Sequence, residues 1–359
     1  MRGSIKLFTL FGIAIRIHLT FLLLPLIVFI TFSQEYGGYI YGLRGIFVVF
    51  LVFCCVVFHE LSHSLQARRF GIGVEQIILL PIGGIAGMKS IPEKPSEEFK
   101  ISLAGPAFNI ILAIVLFLPA YYLLGPENLF RPGVETWIRT FAYAFWINIM
   151  LAIFNLLPAF PMDGGRILRA FLASRMEYVK ATRIAVGFGH TFAVLFGFWG
   201  LTSFNPILII IAFFIFMAAS SEGMQVELRS TLGRFSVKDV LPEQFTSITS
   251  VSPLSQVLSL TLHSHQEDFP VVDEGRLVGL LTRADIILAV QQAGMQQLTR
   301  NVMKKEFPVV QLSDSLTKAH KLMEQWRIKA VPVINRGQVI GIISLEDISR
   351  AYLLMSGRR

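Results

Sequence analysis

Long apolar runs separated by short polar or basic stretches fill the first 220 residues, and the pattern changes after about residue 230. Runs of such length and low charge predict membrane-spanning helices. Six are expected, over residues 18–31, 43–66, 99–123, 136–157, 182–201 and 206–219. The first is short, with a start as early as Ala14 allowed, and suits a tilted or interfacial placement. Residues 71–98 break the rule. Val74-Glu-Gln-Ile-Ile-Leu-Leu is β-branched and apolar, and Pro81, Gly83, Gly84 and Gly87 interrupt it, which predicts a strand or hairpin. Non-helical backbone at membrane depth must face protein or a wet cavity. The hairpin is therefore expected to wall a cleft where its edge can pair with an extended substrate. Pro158 and Pro161 end the fourth run just before Met162-Asp-Gly-Gly-Arg166, and a short amphipathic helix is expected to follow to about Tyr178.

Composition agrees with a membrane domain followed by a soluble one. Of 359 residues, 53% are hydrophobic and 16% charged, against about 25% charged in soluble proteins. The net charge of +8 lies largely at the flanks of the apolar runs, so no nucleic-acid partner is expected. Arg2, Lys6, Arg16, Arg68, Arg69, Lys89, Lys94, Lys100, Arg166, Arg169, Arg175, Lys180 and Arg183 fall on one side, against Arg44, Arg131 and Arg139 on the other. Six spans and this bias place both termini in the cytoplasm. The N-terminus carries a basic flank and no cleavage site, so the first run reads as a retained span. Cys54 and Cys55, the only cysteines, sit in an apolar run, which excludes a disulfide scaffold. His18 and His190 read as packed or interfacial, and the glutamates near the soluble boundary read as surface.

The second run leads without a break into His59-Glu60-Leu61-Ser62-His63. On a helix, His59 and His63 share a face, so two imidazoles can hold one zinc while Glu60 reaches a water beside it. His59 lies about 20 Å along the run, within the hydrocarbon depth. Zinc hydrolases use three protein ligands. Asp163, at the end of the fourth run on the same side, is the outstanding candidate for the third, with Gly164 and Gly165 permitting tight backbone beside it. Glu60 is the general base.

Beyond residue 230 the chain repeats itself at an offset of 62 residues. Phe269-Pro-Val-Val-Asp-Glu-Gly-Arg-Leu-Val-Gly-Leu-Leu-Thr-Arg-Ala-Asp-Ile aligns with Val331-Pro-Val-Ile-Asn-Arg-Gly-Gln-Val-Ile-Gly-Ile-Ile-Ser-Leu-Glu-Asp-Ile. Each half predicts two strands joined by a Gly turn, then a helix opened by Thr282 or Ser344 with an acid three residues on. The repeat resembles a tandem pair of CBS domains. That resemblance implies an adenine-nucleotide site in which Thr282, Asp285, Ser344 and Asp347 approach the ribose. Read as helix caps, the same residues serve only a structural or dimerising module.

With these motifs assembled, the chain resembles the site-2 protease family of intramembrane zinc metalloproteases, in its prokaryotic branch with C-terminal CBS domains. The family's His-Glu-x-x-His matches His59, Glu60 and His63, and its Asp-Gly motif matches Asp163-Gly164. The resemblance implies zinc on His59, His63 and Asp163 and Glu60 as base. Gly105-Pro106 with Asn109, and Asn155 before Pro158, match further family elements, implying orienting roles for both asparagines. It implies a transmembrane protein substrate such as an anti-sigma factor or other membrane-bound regulator. The expected architecture is a polytopic α-helical membrane domain (1–222) of about six transmembrane helices with a membrane-associated β-hairpin. A cytoplasmic α/β CBS module follows (233–290 and 296–355), with homodimerisation through it an expected association. The rival reading is a CBS-regulated membrane channel or transporter, in which Glu60 has no role. A catalytically dead adaptor is a third, and the intact Glu60 speaks against it.

Overall fold

The computed structural model describes residues 3–81, 83–88, 94–263 and 266–356. Arg2, Lys89 and part of the 71–98 segment lie outside the described residues. The chain divides into two compact units, Met1–Gly223 and Met224–Arg359.

In the first unit, β1 (Ser4–Leu10) and β2 (Ile13–His18) precede α1 (Leu23–Glu35) and α2 (Tyr39–Arg69). Then come β3 (Val74–Leu80), β4 (Gly83–Met88), α3 (Pro95–Leu124), the single turn α4 (Pro126–Leu129) and α5 (Trp137–Leu156). α6 (Asp163–Ala173), α7 (Tyr178–Thr202) and α8 (Pro206–Gly233) follow, α8 running past the unit boundary. Among the described residues five helices, α2, α3, α5, α7 and α8, are long and apolar enough to cross a membrane. The first apolar segment forms a shorter helix, Leu19–Glu35. Side chains such as Leu195, Phe198, Ile210 and Phe213 stand exposed on α7 and α8, an apolar surface that a lipid phase accommodates and water does not. This is a membrane protein.

The first helix does not start near Ala14. Residues 4–18 instead form the β1–β2 hairpin, turning at Phe11 and Gly12 with φ of 49° and 72°, the positive-φ pair of a tight hairpin turn. The strands order β1-β2-β3-β4, antiparallel except for the parallel β2–β3 pair. Ile13, Ile15, Ile77 and Leu79 bury against Val49, Phe53, Val56 and Leu61 of α2. Arg68 clamps the hairpin to the helix end, donating to the carbonyls of Phe11 (2.5 Å) and Val74 (2.7 Å). The sheet is thus fixed across the inner half of α2, with β4 at its free edge.

One prediction fails at the end of the unit. Glu222 is not surface: its carboxylate accepts a 2.7 Å bond from Arg169 Nη1. Arg169 is wholly buried and also donates to Glu98. Apolarity ends near residue 219, but α8 does not, and its next turn packs polar groups inward.

The second unit comprises α9 (Leu254–His263), β5 (Phe269–Asp273), β6 (Arg276–Leu281), α10 (Arg283–Ala293), β7 (Val310–Gln311), α11 (Leu316–Trp326), β8 (Ala330–Asn335), β9 (Gln338–Ser344) and α12 (Leu345–Ser356). The repeat is visible in the backbone. Both hairpins turn on a residue pair with positive φ, Glu274-Gly275 and Arg336-Gly337. The parallel pairing of Val310 with Val333 recurs as a bridge between Ile248 and Val271.

Candidate active site

The apolar face that seats α2 on the sheet carries His59 and His63 into the unit's interior, where they are 4% and 5% exposed. Asp163 arrives from a different direction, as the first residue of α6. A Cβ on Gly165 would lie 2.5 Å from the Phe160 amide nitrogen, so only glycine lets α6 close onto the 156–160 turn. The three donors converge. His59 Nε2 and His63 Nε2 are 3.1 Å apart, and Asp163 Oδ2 is 3.1 Å from the first and 3.0 Å from the second.

His63 Nδ1 lies 2.7 Å from the carbonyl of Ile101 on α3. A carbonyl only accepts, so Nδ1 carries a proton, and the ring when neutral presents its Nε2 lone pair to the cluster. That lone pair then faces a carboxylate oxygen and a second imidazole nitrogen at hydrogen-bond distance. Such a cluster needs positive charge at its centre. Ligands on a tetrahedral zinc are about 3.4 Å apart, close to the spacing here, and two histidines with a carboxylate form a known catalytic donor set. The residues fit zinc, and the Ile101 carbonyl is the outer-shell acceptor that such histidines use.

Two glycines shape the space around this cluster. A Cβ on Gly105 of α3 would stand 2.7 Å from His59 Nε2 and would collide with His63 Nε2. A Cβ on Gly84 of β4 would stand 2.6 Å from Glu60 Cγ. The edge strand therefore crosses Glu60 at van der Waals contact. β4 thus lies directly beside Glu60.

Asn109 follows Gly105 by one turn of α3. It is fully buried, and neither of its amide atoms has a partner among the described residues. Asn155 is half-buried and donates back to the Leu151 carbonyl of its own helix at 2.9 Å. His18 caps Thr20, and His190 bonds Ser220 at 2.9 Å; neither joins the cluster.

In the second unit the Thr282–Asp285 and Ser344–Asp347 pairs both form capping boxes, with hydroxyl-to-carboxylate distances of 2.5 and 2.6 Å. Ser344 and Asp347 also line a cavity of about 360 Å³ together with Gln266, Asp268, Lys329 and Arg350. Thr282 and Asp285 do not line it, and Asp285 pairs with Lys304 at 3.5 Å.

The model of Peptidase family M50 matches residues 47–136 and 131–196, and that of the CBS domain matches 237–292 and 300–354. The chain is 34% identical over 355 residues to a zinc metalloprotease of Methanocaldococcus jannaschii, covering 99% of this chain and 98% of the relative. It is 28% identical over 166 residues to the stage IV sporulation protein FB of Bacillus subtilis, covering 46% of this chain and 54% of the relative. Among solved structures, a site-2 protease from Methanocaldococcus jannaschii is similar at 39% identity and a TM-score of 0.47. That match covers 61% of this chain and 95% of the other.

Proposed function

The chain belongs to peptidase family M50, as a zinc metalloprotease with tandem CBS domains, and from that premise we propose how its residues divide the work of cutting a peptide bond within a membrane. The enzyme hydrolyses bonds within or near transmembrane segments of membrane proteins. His59, His63 and Asp163 are the metal ligands, Glu60 is the general base, and residues 1–222 form the protease domain. The convergence of the three donor atoms from α2 and α6 is the observation that carries this reading.

Zinc held there supplies a Lewis acid that polarises the scissile carbonyl and acidifies the attacking water. Glu60 takes the proton from that water as its oxygen bonds the carbonyl carbon. When the C–N bond breaks, Glu60 returns the proton to the leaving nitrogen, giving a carboxyl and an amine. A substrate helix hides its carbonyls in its own hydrogen bonds and must unwind first. The free edge of β4 offers backbone partners to the unwound segment beside Glu60. Asn109, buried with its amide uncommitted, orients the substrate carbonyl or amide. Asn155 is assigned a supporting place at the end of α5.

The substrate is a membrane-bound regulator such as an anti-sigma factor. The CBS halves, residues 233–290 and 296–355, bind an adenine nucleotide at the cavity lined by Ser344 and Asp347, and they are the surface through which two copies associate. The basic flanks support a multi-pass orientation in the cell membrane with both termini and the CBS pair cytoplasmic. A channel reading leaves Glu60 idle and has no support here. Purified wild type and Glu60→Gln, compared for bound zinc and for cleavage of a single-span substrate in liposomes, test the assignment. Zinc near one per chain in both, with cleavage lost only in the variant, is expected. Cleavage retained in Glu60→Gln overturns it.

A further inference from the structure

Asp163 reaches its two imidazoles only if α6 sits correctly, and the groups that seat α6 are charged and buried. Arg169 lies six residues after Asp163 and is wholly buried. Its Nε donates to Glu98 Oε1 at 2.9 Å and Nη2 donates to the same oxygen. Its Nη1 donates to Glu222 Oε1 at 2.7 Å. The guanidinium carbon stands 4.8 Å over the Phe160 ring and 4.9 Å over Tyr178. One side chain thus joins α6 to the start of α3, to α8, to the start of α7 and to the turn that Gly165 packs against.

The α3 connection matters for the chemistry. Glu98 precedes by three residues the Ile101 carbonyl that holds His63. The same helix then brings Gly105 against both imidazoles. Arg169 therefore ties the helix bearing one donor to the helix that orients another. The lever is short and stiff. Six residues of α-helix span about 9 Å, so a tilt of about 10° at Arg169 displaces Asp163 by about 1.5 Å. Metal sites tolerate ligand distances within about 0.2 Å.

We propose that Arg169 is a positioning residue for the metal site. Gripped by Glu98 and Glu222, it sets α6 so that Asp163 Oδ2 meets both histidines. Through Glu222 it makes that fit depend on α8, the helix that continues into the CBS-bearing unit. Only a planar fork bonds two carboxylates in different directions while its faces stack on two rings, so lysine is no substitute. The inference rests on the reading of His59, His63 and Asp163 as ligands.

The test uses the full chain in detergent. Zinc affinity is measured by competition with a chromogenic chelator, and ligand geometry by the visible absorption of the cobalt(II) form. Arg169→Lys and Glu222→Gln are each expected to weaken zinc by about ten- to a hundred-fold and to alter the cobalt spectrum. If Arg169→Lys does not fold, Glu222→Gln decides, because it leaves the Glu98 pair intact. Wild-type affinity and spectrum in Glu222→Gln, or zinc loss that merely follows the unfolded fraction, overturns the proposal. Asp163→Asn is run alongside. Unchanged zinc there refutes the ligand assignment itself; zinc lost there but kept in the other two refutes only the role of Arg169.

Discussion

Gly84 and Glu60 touch: the position of a Cβ on Gly84 is 2.6 Å from Glu60 Cγ and 3.3 Å from a Val56 methyl. Only a bare backbone lets the sheet edge cross Glu60, the proposed general base, this closely. Gly84→Val should push β4 away or turn Glu60 aside, while leaving the three metal donors alone. A displacement of about 1 Å is worth about a hundred-fold in rate. Cleavage should fall by that order with zinc content unchanged. Loss of zinc in this variant would show that β4 supports the metal cluster and not the base.

Gly105 is the corresponding contact on the other side of the cluster. A methyl there collides with His63 Nε2 and lies 2.7 Å from His59 Nε2, the atoms proposed to face the metal. Gly105→Ala should therefore fold and fail to hold zinc. Gly187→Ala is the control, since a Cβ at Gly187 meets nothing within 4 Å, and in a helix interior alanine is favoured by about 1 kcal/mol. Metal analysis of the two variants reads the difference. Zinc near one per chain in Gly105→Ala would contradict the packing.

Much of this site was legible because its chemistry is local in sequence. His59, Glu60 and His63 declare themselves by helical spacing, and the glycines of β4 declare a strand by breaking an apolar run. Asp163 needed one further step, a depth argument along the fourth run. The N-terminal hairpin was hidden because Ile13 and Ile15 are as apolar as the helix that follows, although Phe11-Gly12 between alternating residues was a turn signal. The Glu98–Arg169–Glu222 cluster was illegible for a different reason. Glu98 and Glu222 lie at the ends of apolar runs and Arg169 on a short amphipathic helix, places where charges normally meet solvent, and only the folded chain brings the three together. The two capping acids also differ in their surroundings: Asp285 pairs with Lys304, whereas Pro242, the counterpart of Lys304 at the 62-residue offset, lines the cavity with Asp347.

That difference predicts unequal roles for two equivalent acids. Asp285→Ala and Asp347→Ala each remove a capping carboxylate, and each should destabilise by about 1 kcal/mol. Only Asp347 lines the cavity. Equilibrium dialysis of the full chain with labelled AMP or ATP should therefore lose binding in Asp347→Ala and keep it in Asp285→Ala. Equal losses would place a second site at Thr282 and Asp285.

Asp268 gives the CBS-bearing unit a pH dependence whose sign follows from its burial. It is 3% exposed, and its Oδ1 accepts the Arg283 amide at 3.0 Å. Burial pushes its carboxyl above the ordinary value, against the pull of neighbouring backbone amides. The folded unit thus binds this proton more tightly than the unfolded chain does. Its stabilising contribution is complete below the unfolded value of about 3.9 and is lost as pH rises through the raised folded value. At neutral pH the charged, buried carboxylate is a net cost. Asp268→Asn keeps the Oδ1 acceptor and removes the charge, so it should slow hydrogen exchange of the β5 and β8 amides at pH 7. Near pH 4 the two proteins should differ little. Faster exchange in the variant at pH 7, with nucleotide absent, would mean that the carboxylate is stabilised by its surroundings and that the sign is reversed.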